Sequence, residues 1–267
     1  MKSNNFQTPK QPSRDTTGQA IYIMWLREMK RFFRARARVI GTLAMPFFFL
    51  ISFGFGMRQG FNLPGMPQMN YLNFLVPGII GMTMLFNSIF AGISVLWDRE
   101  FGFLKEILVA PVKRFAIVLG RIAGGITTAL IQAILILILS LFIGFKISNP
   151  LGIILAILFM ILIGIGFIGF GIAVASILEN TESFSLIMQL FVFPTFLLSG
   201  AFFPVSNLPK WLKPISLVNP LTYGVDGLRA SLIGFSQFPL ILDLVILLIF
   251  GILMVGLGSW LFNKTEI

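Results

Sequence analysis

The residue types that carry most enzyme chemistry are missing from this chain. It contains no histidine and no cysteine, which excludes carriers with imidazole ligands, Ser–His hydrolases and thiolate metal or redox sites. The phosphate-binding pattern GxxxxGK followed by Ser or Thr is absent from the sequence, so ATP binding by that route is excluded. Gly164, Gly166 and Gly169 match the GxGxxG spacing of dinucleotide sites, but they lie inside a continuous apolar run. We therefore expect no catalytic residue, no bound metal and no cofactor on this chain.

Isolated charges in apolar surroundings are the remaining candidates for chemistry. Asp226 and Arg229 stand three residues apart in a predicted helix, where they can pair and so remove the cost of two separate charges near lipid. A role in contacting substrate is the alternative for this pair. Asp243 is a further isolated carboxylate early in the last apolar run, and the same two interpretations, an interfacial position or a substrate contact, apply to it.

The composition predicts the elements that hold these residues. Of the 267 residues, 57% are hydrophobic and 11% are charged, whereas soluble domains carry about 25% charged residues. A membrane-spanning helix needs about 20 apolar residues. Six runs meet this need, over residues 39–57, 71–96, 115–145, 151–178, 184–203 and 239–262. We predict an all-α polytopic membrane protein with six transmembrane helices, a disordered cytoplasmic tail over residues 1–19 and a cytoplasmic C-terminus over residues 263–267.

A basic amphipathic helix precedes the first apolar run. Between residues 20 and 38, apolar and basic side chains separate onto two faces of a helix. Trp25 lies on the apolar face, and Arg27, Arg31 and Arg34 lie on the basic face. This pattern predicts an interfacial helix on the cytoplasmic leaflet, with its basic face towards anionic headgroups. A basic run that only fixes the topology is a compatible alternative.

The positions of Lys and Arg predict the orientation. The formal net charge is +10, but the basic residues cluster beside hydrophobic spans, so the lipid bilayer rather than nucleic acid is the expected partner. If both termini lie on one side, that side carries fifteen of the 20 Lys and Arg residues and the other side carries five. The positive-inside rule then places both termini in the cytoplasm, with the chain in the plasma (inner) membrane.

Residues 97–121, between the second and third runs, differ from an ordinary loop. They read WDREFGFLKEILVAPVKRFAIVLGR and predict a short helix that Pro111 ends. The charged residues of this helix are Asp98, Arg99, Glu100, Lys105 and Glu106. A helix that combines charges with an apolar stripe can dock into a groove on a cytoplasmic partner. A solvated turn between two spans is the alternative.

Residues 204–238, between the fifth and sixth runs, hold four prolines yet remain largely apolar. Asn219 and Pro220 supply a helix N-cap and a first-turn proline, and Gly234 supplies a stop, which predicts a helix over residues 221–233. Residues 207–212 are predicted to form another short helix. Irregular backbone at membrane depth must be covered by protein or line a cavity. The pattern therefore predicts re-entrant half-helices that dip into the outer leaflet.

Small residues four apart predict where helices approach closely. Gly120 and Gly124 lie on the third run, and Gly169 and Ala173 lie on the fourth. This spacing allows tight backbone packing in a membrane, where hydrophobic burial does not drive helices together.

Taken together, these segments resemble the type-2 permeases of ATP-binding cassette (ABC) transporters, which include bacterial drug, lipid and polysaccharide exporters. The resemblance covers about residues 20–262. It rests on the amphipathic helix, the six spans, WDREFGFLKEILVAPVKR between spans two and three, and FLLSGAFFPVSNLPKWLKPISLVNPLTYGVDGLRA between spans five and six.

The resemblance implies a complex of two permease subunits, homodimeric or heterodimeric, with two cytoplasmic ABC ATPases that bind ATP and Mg and drive export. It implies a coupling helix against the ATPase, formed by Arg99, Glu100, Gly102, Lys105, Glu106 and Pro111. It also implies a re-entrant helix that closes the outer end of the path, with Asn219, Pro220, Tyr223, Asp226 and Arg229.

We therefore predict the membrane-spanning permease subunit of an exporter, which is not itself an enzyme. An ion-coupled secondary transporter or channel is the alternative, but such proteins keep several ionisable residues at the bilayer midplane, and these spans hold almost none. The chain has 30 Phe against 4 Trp and 3 Tyr, so rings with a polar group are scarce. This composition favours a hydrophobic or amphipathic substrate over a hydrated sugar.

Overall fold

The computed structural model describes residues 15–56, 70–102, 114–178 and 180–264, and within these ranges every regular element is a helix. The helices are α1 Asp15–Arg34, α2 Arg36–Gly56, α3 Tyr71–Glu100, α4 Arg114–Ile143, α5 Gly152–Ile177, α6 Thr181–Ile187, α7 Phe193–Leu197, α8 Lys213–Val218, α9 Pro220–Ile233 and α10 Leu240–Lys264. A π-helical turn, Met188–Val192, joins α6 to α7, and a 3₁₀ turn, Val205–Asn207, precedes α8. The all-α prediction is confirmed for the part of the chain that the structure describes.

Five of the described helices are long and apolar enough to cross a membrane. They are Val39–Gly56 within α2, together with α3, α4, α5 and α10, and they correspond to five of the six predicted runs. The predicted run over 184–203 is instead a shorter, broken helix over Thr181–Leu197. Pro194 lacks the N–H that a regular α-helix requires there, and the π-helical turn accommodates the missing hydrogen bond. Gly200, at φ 74°, turns the chain away after α7.

The termini of α1 and α3 differ from the prediction. α1 begins at Asp15, so the helix includes five residues that were predicted to belong to a disordered tail. The basic Arg31 and Arg34 in its last turn suit the negative end of its dipole. α3 continues to Glu100, and Gly102, at φ 72°, follows it. The separate short helix predicted to begin at Asp98 is therefore wrong at its start, because Asp98, Arg99 and Glu100 form the last turn of α3.

Burial identifies α3 as the central helix. Of its most apolar 18-residue stretch 78% is buried, against 17% for the corresponding stretches of α2 and α10, which lie at the periphery. α3 packs on α5, and α5 packs on α10. A Cβ placed on Gly169 would lie 2.8 Å from the backbone of Met254, and one placed on Gly258 would lie 3.5 Å from the backbone N of Ala173. The close approach predicted at Gly169 and Ala173 is confirmed.

The other glycine pair positions the N-terminal helix. A Cβ on Gly120 would lie 2.6 Å from Cβ of Met24, and one on Gly124 would lie 2.7 Å from Cβ of Glu28. The backbone of α4 is therefore in direct contact with α1, and the predicted close packing at these glycines is confirmed. α1 lies on the protein along this face.

The helix ends form two groups. At what we call the basic end, Arg114 Nη1 at the start of α4 donates to the carbonyl of Asn263 near the end of α10 at 2.7 Å, and α1 lies beside them. At the proline-rich end, the Tyr71 hydroxyl at the start of α3 donates to the carbonyl of Phe202 at 3.3 Å. There the N–H of Ser148 also donates to the carbonyl of Leu232 at 3.0 Å. Each group holds one set of candidate functional residues.

Candidate functional site

A buried carboxylate at the basic end binds arginines from two other helices. Asp98, in the last turn of α3, is 6% exposed. Its Oδ2 accepts hydrogen bonds from Arg27 Nη2 of α1, at 2.7 Å, and from Arg121 Nη2 of α4. Arg31 Nη1 of α1 lies 3.9 Å from Oδ1. We call these four residues the Asp98 cluster, and it joins α1, α3 and α4.

The Asp98 cluster balances a charge that would otherwise be isolated inside the bundle. Arg121 is 2% exposed, and an unpaired guanidinium in such a place would cost several kcal/mol. Asp98 supplies the opposite charge, and Ser94 Oγ accepts a second hydrogen bond from Arg121 Nη1 at 3.2 Å. The cluster therefore holds α1 in place through charges that are largely out of water.

Several α1 residues that were predicted to lie at the membrane interface instead contact other helices of the protein. Trp25 Nε1 donates to Thr127 Oγ1 of α4 at 3.1 Å. Arg27 and Arg31 turn towards Asp98, which corrects the expectation that this basic face points to anionic headgroups. Arg34, at the end of α1, is exposed. The salt-bridge cluster, the indole hydrogen bond and the glycine contact thus attach α1 to α3 and α4.

The described residues on either side of segment 103–113 are attached to neighbouring elements. Arg99 donates through Nη2 to the carbonyl of Leu178, at the end of α5. The Glu100 carboxylate accepts the N–H of Thr181 at 2.8 Å and also the Thr181 hydroxyl, at the start of α6. On the other side, Arg114 binds the end of α10. Of the residues predicted for a coupling helix, Lys105, Glu106 and Pro111 lie outside the described residues. The described flanks of this segment are therefore joined to the end of α5, the start of α6 and the end of α10.

At the proline-rich end, α9 begins and ends where the sequence predicts. The side chain of Asn219 accepts the N–H of Leu221 at 3.0 Å, and Pro220 occupies the first turn. Gly234 ends the helix in the left-handed conformation, at φ 72°. The predicted helix over residues 221–233 is confirmed. α9 packs against α3, α5 and α10, and most of its side chains are buried.

The helix before α9 lies later in the chain than predicted. The expectation of a helix over residues 207–212 is wrong, because the chain forms a 3₁₀ turn at Val205–Asn207 and then α8 at Lys213–Val218. Pro209 disfavours helical geometry at the residue before it, whereas Pro214 falls in the first turn of α8, where its missing N–H costs nothing. Side chains of α9 satisfy the end of α8, since the Tyr223 hydroxyl donates to the carbonyl of Leu217 at 2.7 Å.

Asp226 and Arg229 do not pair with each other, so the predicted ion pair is wrong. The Asp226 carboxylate accepts the N–H groups of Gln237, at 2.9 and 3.0 Å, and Phe238, at 2.9 Å. Arg229 turns to α3, where Nη2 donates to the carbonyls of Phe74 at 3.2 Å and Gly200 at 3.1 Å. Its guanidinium lies 3.7 Å from the centre of the Phe74 ring. Backbone groups of other segments therefore bind each residue separately.

Asp243 differs from Asp226 in having no hydrogen-bonding partner among the described residues. It lies in the first turn of α10 and is fully buried, and neither carboxylate oxygen accepts a hydrogen bond from a described residue. It is therefore enclosed by protein rather than placed at a water interface. The positive end of the α10 dipole lies close to it.

The Asp98 cluster was not predicted as a site. Asp98 was interpreted as one charge of a short docking helix, and Arg121 was counted only for topology. One signal was present, because Arg121 lies several residues inside an apolar run, and a charge in such a position generally has a specific partner. Its partner could not be identified from sequence, since residues 27, 98 and 121 are far apart along the chain.

Comparisons with known proteins agree with this architecture. Residues 19–233 match the model of the ABC-2 type transporter family. The chain is 29% identical to a protein named as transport permease ycf38 of Cyanophora paradoxa, over 92% of this chain and 88% of that protein. It is 27% identical to the inner membrane transport permease YadH of Escherichia coli K12, over 86% of this chain and 90% of YadH. With its apolar helices, the chain is a multi-pass membrane protein, and it belongs to the ABC-2 type transporter family of permeases.

Proposed function

We propose that this chain is the permease subunit of an ABC exporter and that a separate ATPase drives it. Family membership supports a membrane subunit of an ABC transporter, and the missing phosphate loop supports an ATPase on another polypeptide. Two permease subunits, identical or different, combine with two ATPases that bind ATP and Mg. Both termini and the basic end face the cytoplasm, where the excess of Lys and Arg is expected.

The observation that carries this proposal is the attachment of both flanks of segment 103–113. Arg99 and Glu100 bind the region between α5 and α6, and Arg114 binds the end of α10. We propose that residues 99–111 contact the ATPase, with Gly102 ending α3 and with Lys105, Glu106 and Pro111 in the contacting segment. A force applied there reaches α5, α6 and α10 through these polar contacts.

The broken helix Thr181–Leu197 completes a set of six crossings in this proposal. At about 1.5 Å per residue it is roughly 25 Å long, against a hydrocarbon core of about 30 Å. The apolar residues 198–203 that follow it make up the difference. α8 and α9 then form the re-entrant hairpin at the outer side, and Asn219, Pro220, Tyr223, Asp226 and Arg229 fix its shape. The burial of α9 among membrane helices supports this arrangement.

Crosslinking tests the ATPase contact directly. The chain has no cysteine, so each introduced cysteine is unique. Lys105→Cys and the matched control Lys210→Cys, at the opposite end, are labelled with a maleimide–benzophenone reagent in native membranes and irradiated, so that no thiol is needed on the partner, and products are identified by mass spectrometry. We expect a crosslink to an ABC ATPase from Lys105→Cys alone. Equal crosslinking from both positions, or no ATPase from either, would refute the contact.

Transport in vesicles tests the energy source and the substrate class. The complex purified from native membranes is reconstituted and supplied with ATP or with a proton gradient, using a lipophilic drug, a lipid and an oligosaccharide as substrates. We expect ATP-dependent movement of the drug or the lipid, and a reduced rate after Pro111→Ala. Transport driven by the proton gradient alone would favour an ion-coupled carrier instead.

A further inference from the structure

The basic end encloses a cavity that the proposed function does not use. It lies between α1, α2, α3 and α4 and has a volume of about 300 Å³. Its lining combines polar groups with aromatic rings, chiefly Glu28, Thr42, Gln132, Phe32, Phe90 and Trp97. Gln132 is 4% exposed, and its Oε1 accepts the Thr42 hydroxyl at 3.0 Å. A polar and aromatic lining of this kind is typical of small-ligand sites.

Glu28 contributes a negative charge to this cavity, and this charge interacts with Arg121 without a hydrogen bond. Among the described residues, its carboxylate accepts no hydrogen bond and forms no ion pair, and Oε1 is shielded from water. The start of its side chain is fixed against Gly124 of α4, where an added Cβ would lie 2.7 Å from Cβ of Glu28. The carboxylate is therefore kept at the cavity wall.

The neighbouring arginines interact with other groups. Arg27 and Arg121 donate to Asp98, and Arg121 also donates to Ser94. Arg31 lines the cavity as well, but its guanidinium lies 3.9 Å from Asp98 and 5.9 Å from the centre of the Trp97 ring. Asp98 therefore accepts the direct hydrogen bonds of Arg27 and Arg121, while Glu28 interacts with Arg121 through charge alone.

A carboxylate without a donor, beside an apolar wall, is costly unless a ligand or water satisfies it. A ligand that fits must donate hydrogen bonds, carry positive charge and present rings to Phe32, Phe90 and Trp97, since cations and aromatic faces attract each other. The volume limits its size, because a cavity of about 150 Å³ accommodates benzene, so about twice that volume accommodates one or two rings.

We propose that this cavity is a binding site for a compact lipophilic amine, a protonated primary or secondary amine attached to one or two rings. The ammonium group donates to Glu28, and the rings pack against the aromatic wall. Binding is a property of the permease chain itself, so it is measured without ATP and does not depend on the proposed function.

The test uses the full chain in lipid nanodiscs with tritiated 1-naphthylmethylamine. Two comparison probes, 1-naphthylmethanol and 1-naphthoate, keep the ring system and change only the polar group. We expect saturable binding of the amine, about tenfold or more tighter than that of the alcohol, because hydrogen bonds to charged groups are the stronger ones. Glu28→Gln should remove this difference, while the matched control Glu182→Gln, on the exposed surface of α6, should preserve it.

A further variant separates charge recognition from filling of the cavity. Thr128→Phe places a ring in the space and should abolish binding of both the amine and the alcohol. Equal affinity for amine and alcohol, or unchanged amine binding in Glu28→Gln, would overturn the proposal and assign Glu28 to a hydrated salt-bridge cluster. Preference for 1-naphthoate would also overturn it and assign the site to Arg31. If Glu28→Gln does not fold, the proposal is tested by the relative affinities of the three probes for the unmodified chain and by the loss of binding in Thr128→Phe.

Discussion

Replacing Asp98 by Asn should destabilise the protein strongly, because three arginines lie against this one carboxylate. The change keeps the shape of the side chain and removes its charge. Arg121 would remain buried, with Ser94 as its remaining hydrogen-bond acceptor among the described residues, and removing one member of a buried ion pair costs about 3–5 kcal/mol. In a chain of this size each kcal/mol lowers the melting temperature by about 2–4 °C. We therefore expect a decrease of about 6–20 °C.

The assay is thermal unfolding of the purified chain in detergent, followed by intrinsic fluorescence. Glu182→Gln provides a matched loss of one exposed carboxylate and should change the melting temperature by less than about 2 °C. The double variant Asp98→Asn with Arg121→Met should recover at least half of the loss, since it leaves no buried unpaired guanidinium. A stabilising role of the cluster for α1, α3 and α4 would be refuted by either of two results. The single variant could have the same melting temperature as the unmodified chain, or the double variant could have a lower melting temperature than the single variant.

Further predictions concern packing, helix α9 and orientation. Gly124→Leu should destabilise the protein by about 1–3 kcal/mol through overpacking against Glu28, whereas Gly41→Leu, at a site with no atom within 4 Å of an added Cβ, should not; a denaturation series compares them, and equal losses would contradict the contact. Arg229→Lys should not restore the stability lost in Arg229→Met, because lysine cannot reproduce two directed bonds and stacking on Phe74; recovery of the melting temperature by lysine would show that charge alone matters. Lys264→Cys should react with a membrane-impermeant maleimide only in inside-out vesicles and Lys210→Cys only in right-side-out vesicles, and the reverse pattern would refute the proposed orientation.

Much of the helical architecture followed from local sequence signals. The ends of α9 were predicted because Asn219, Pro220 and Gly234 act on the backbone within a few residues of themselves. The glycine contacts at Gly120 and Gly169 were predicted because spacing along one helix defines a face. Two features were not predicted: the break in the helix over Thr181–Leu197 and the position of α8 at Lys213–Val218. Each depends on how several prolines are accommodated together.

The side-chain partners were less predictable than the helices. Asp226 and Arg229 have the spacing of an ion pair, yet each binds backbone groups of another segment, and tertiary contacts outweighed the local pairing. The partners of Asp98 are 71 residues away at Arg27 and 23 residues away at Arg121. Helical periodicity carries no information about such distances, so a single sequence shows the charges but not which of them meet.

The docking of α1 on α4 also constrains how the protein is made. Trp25 and Thr127 are separated by 102 residues, so α1 leaves the ribosome long before its binding surface exists. At about 5–20 residues per second, the interval is on the order of 5–20 s. During that time α1 has its amphipathic character but not its protein partner, and the membrane surface is the available place for its apolar face. The binding surface of α1 is therefore complete only after α4 has been synthesised.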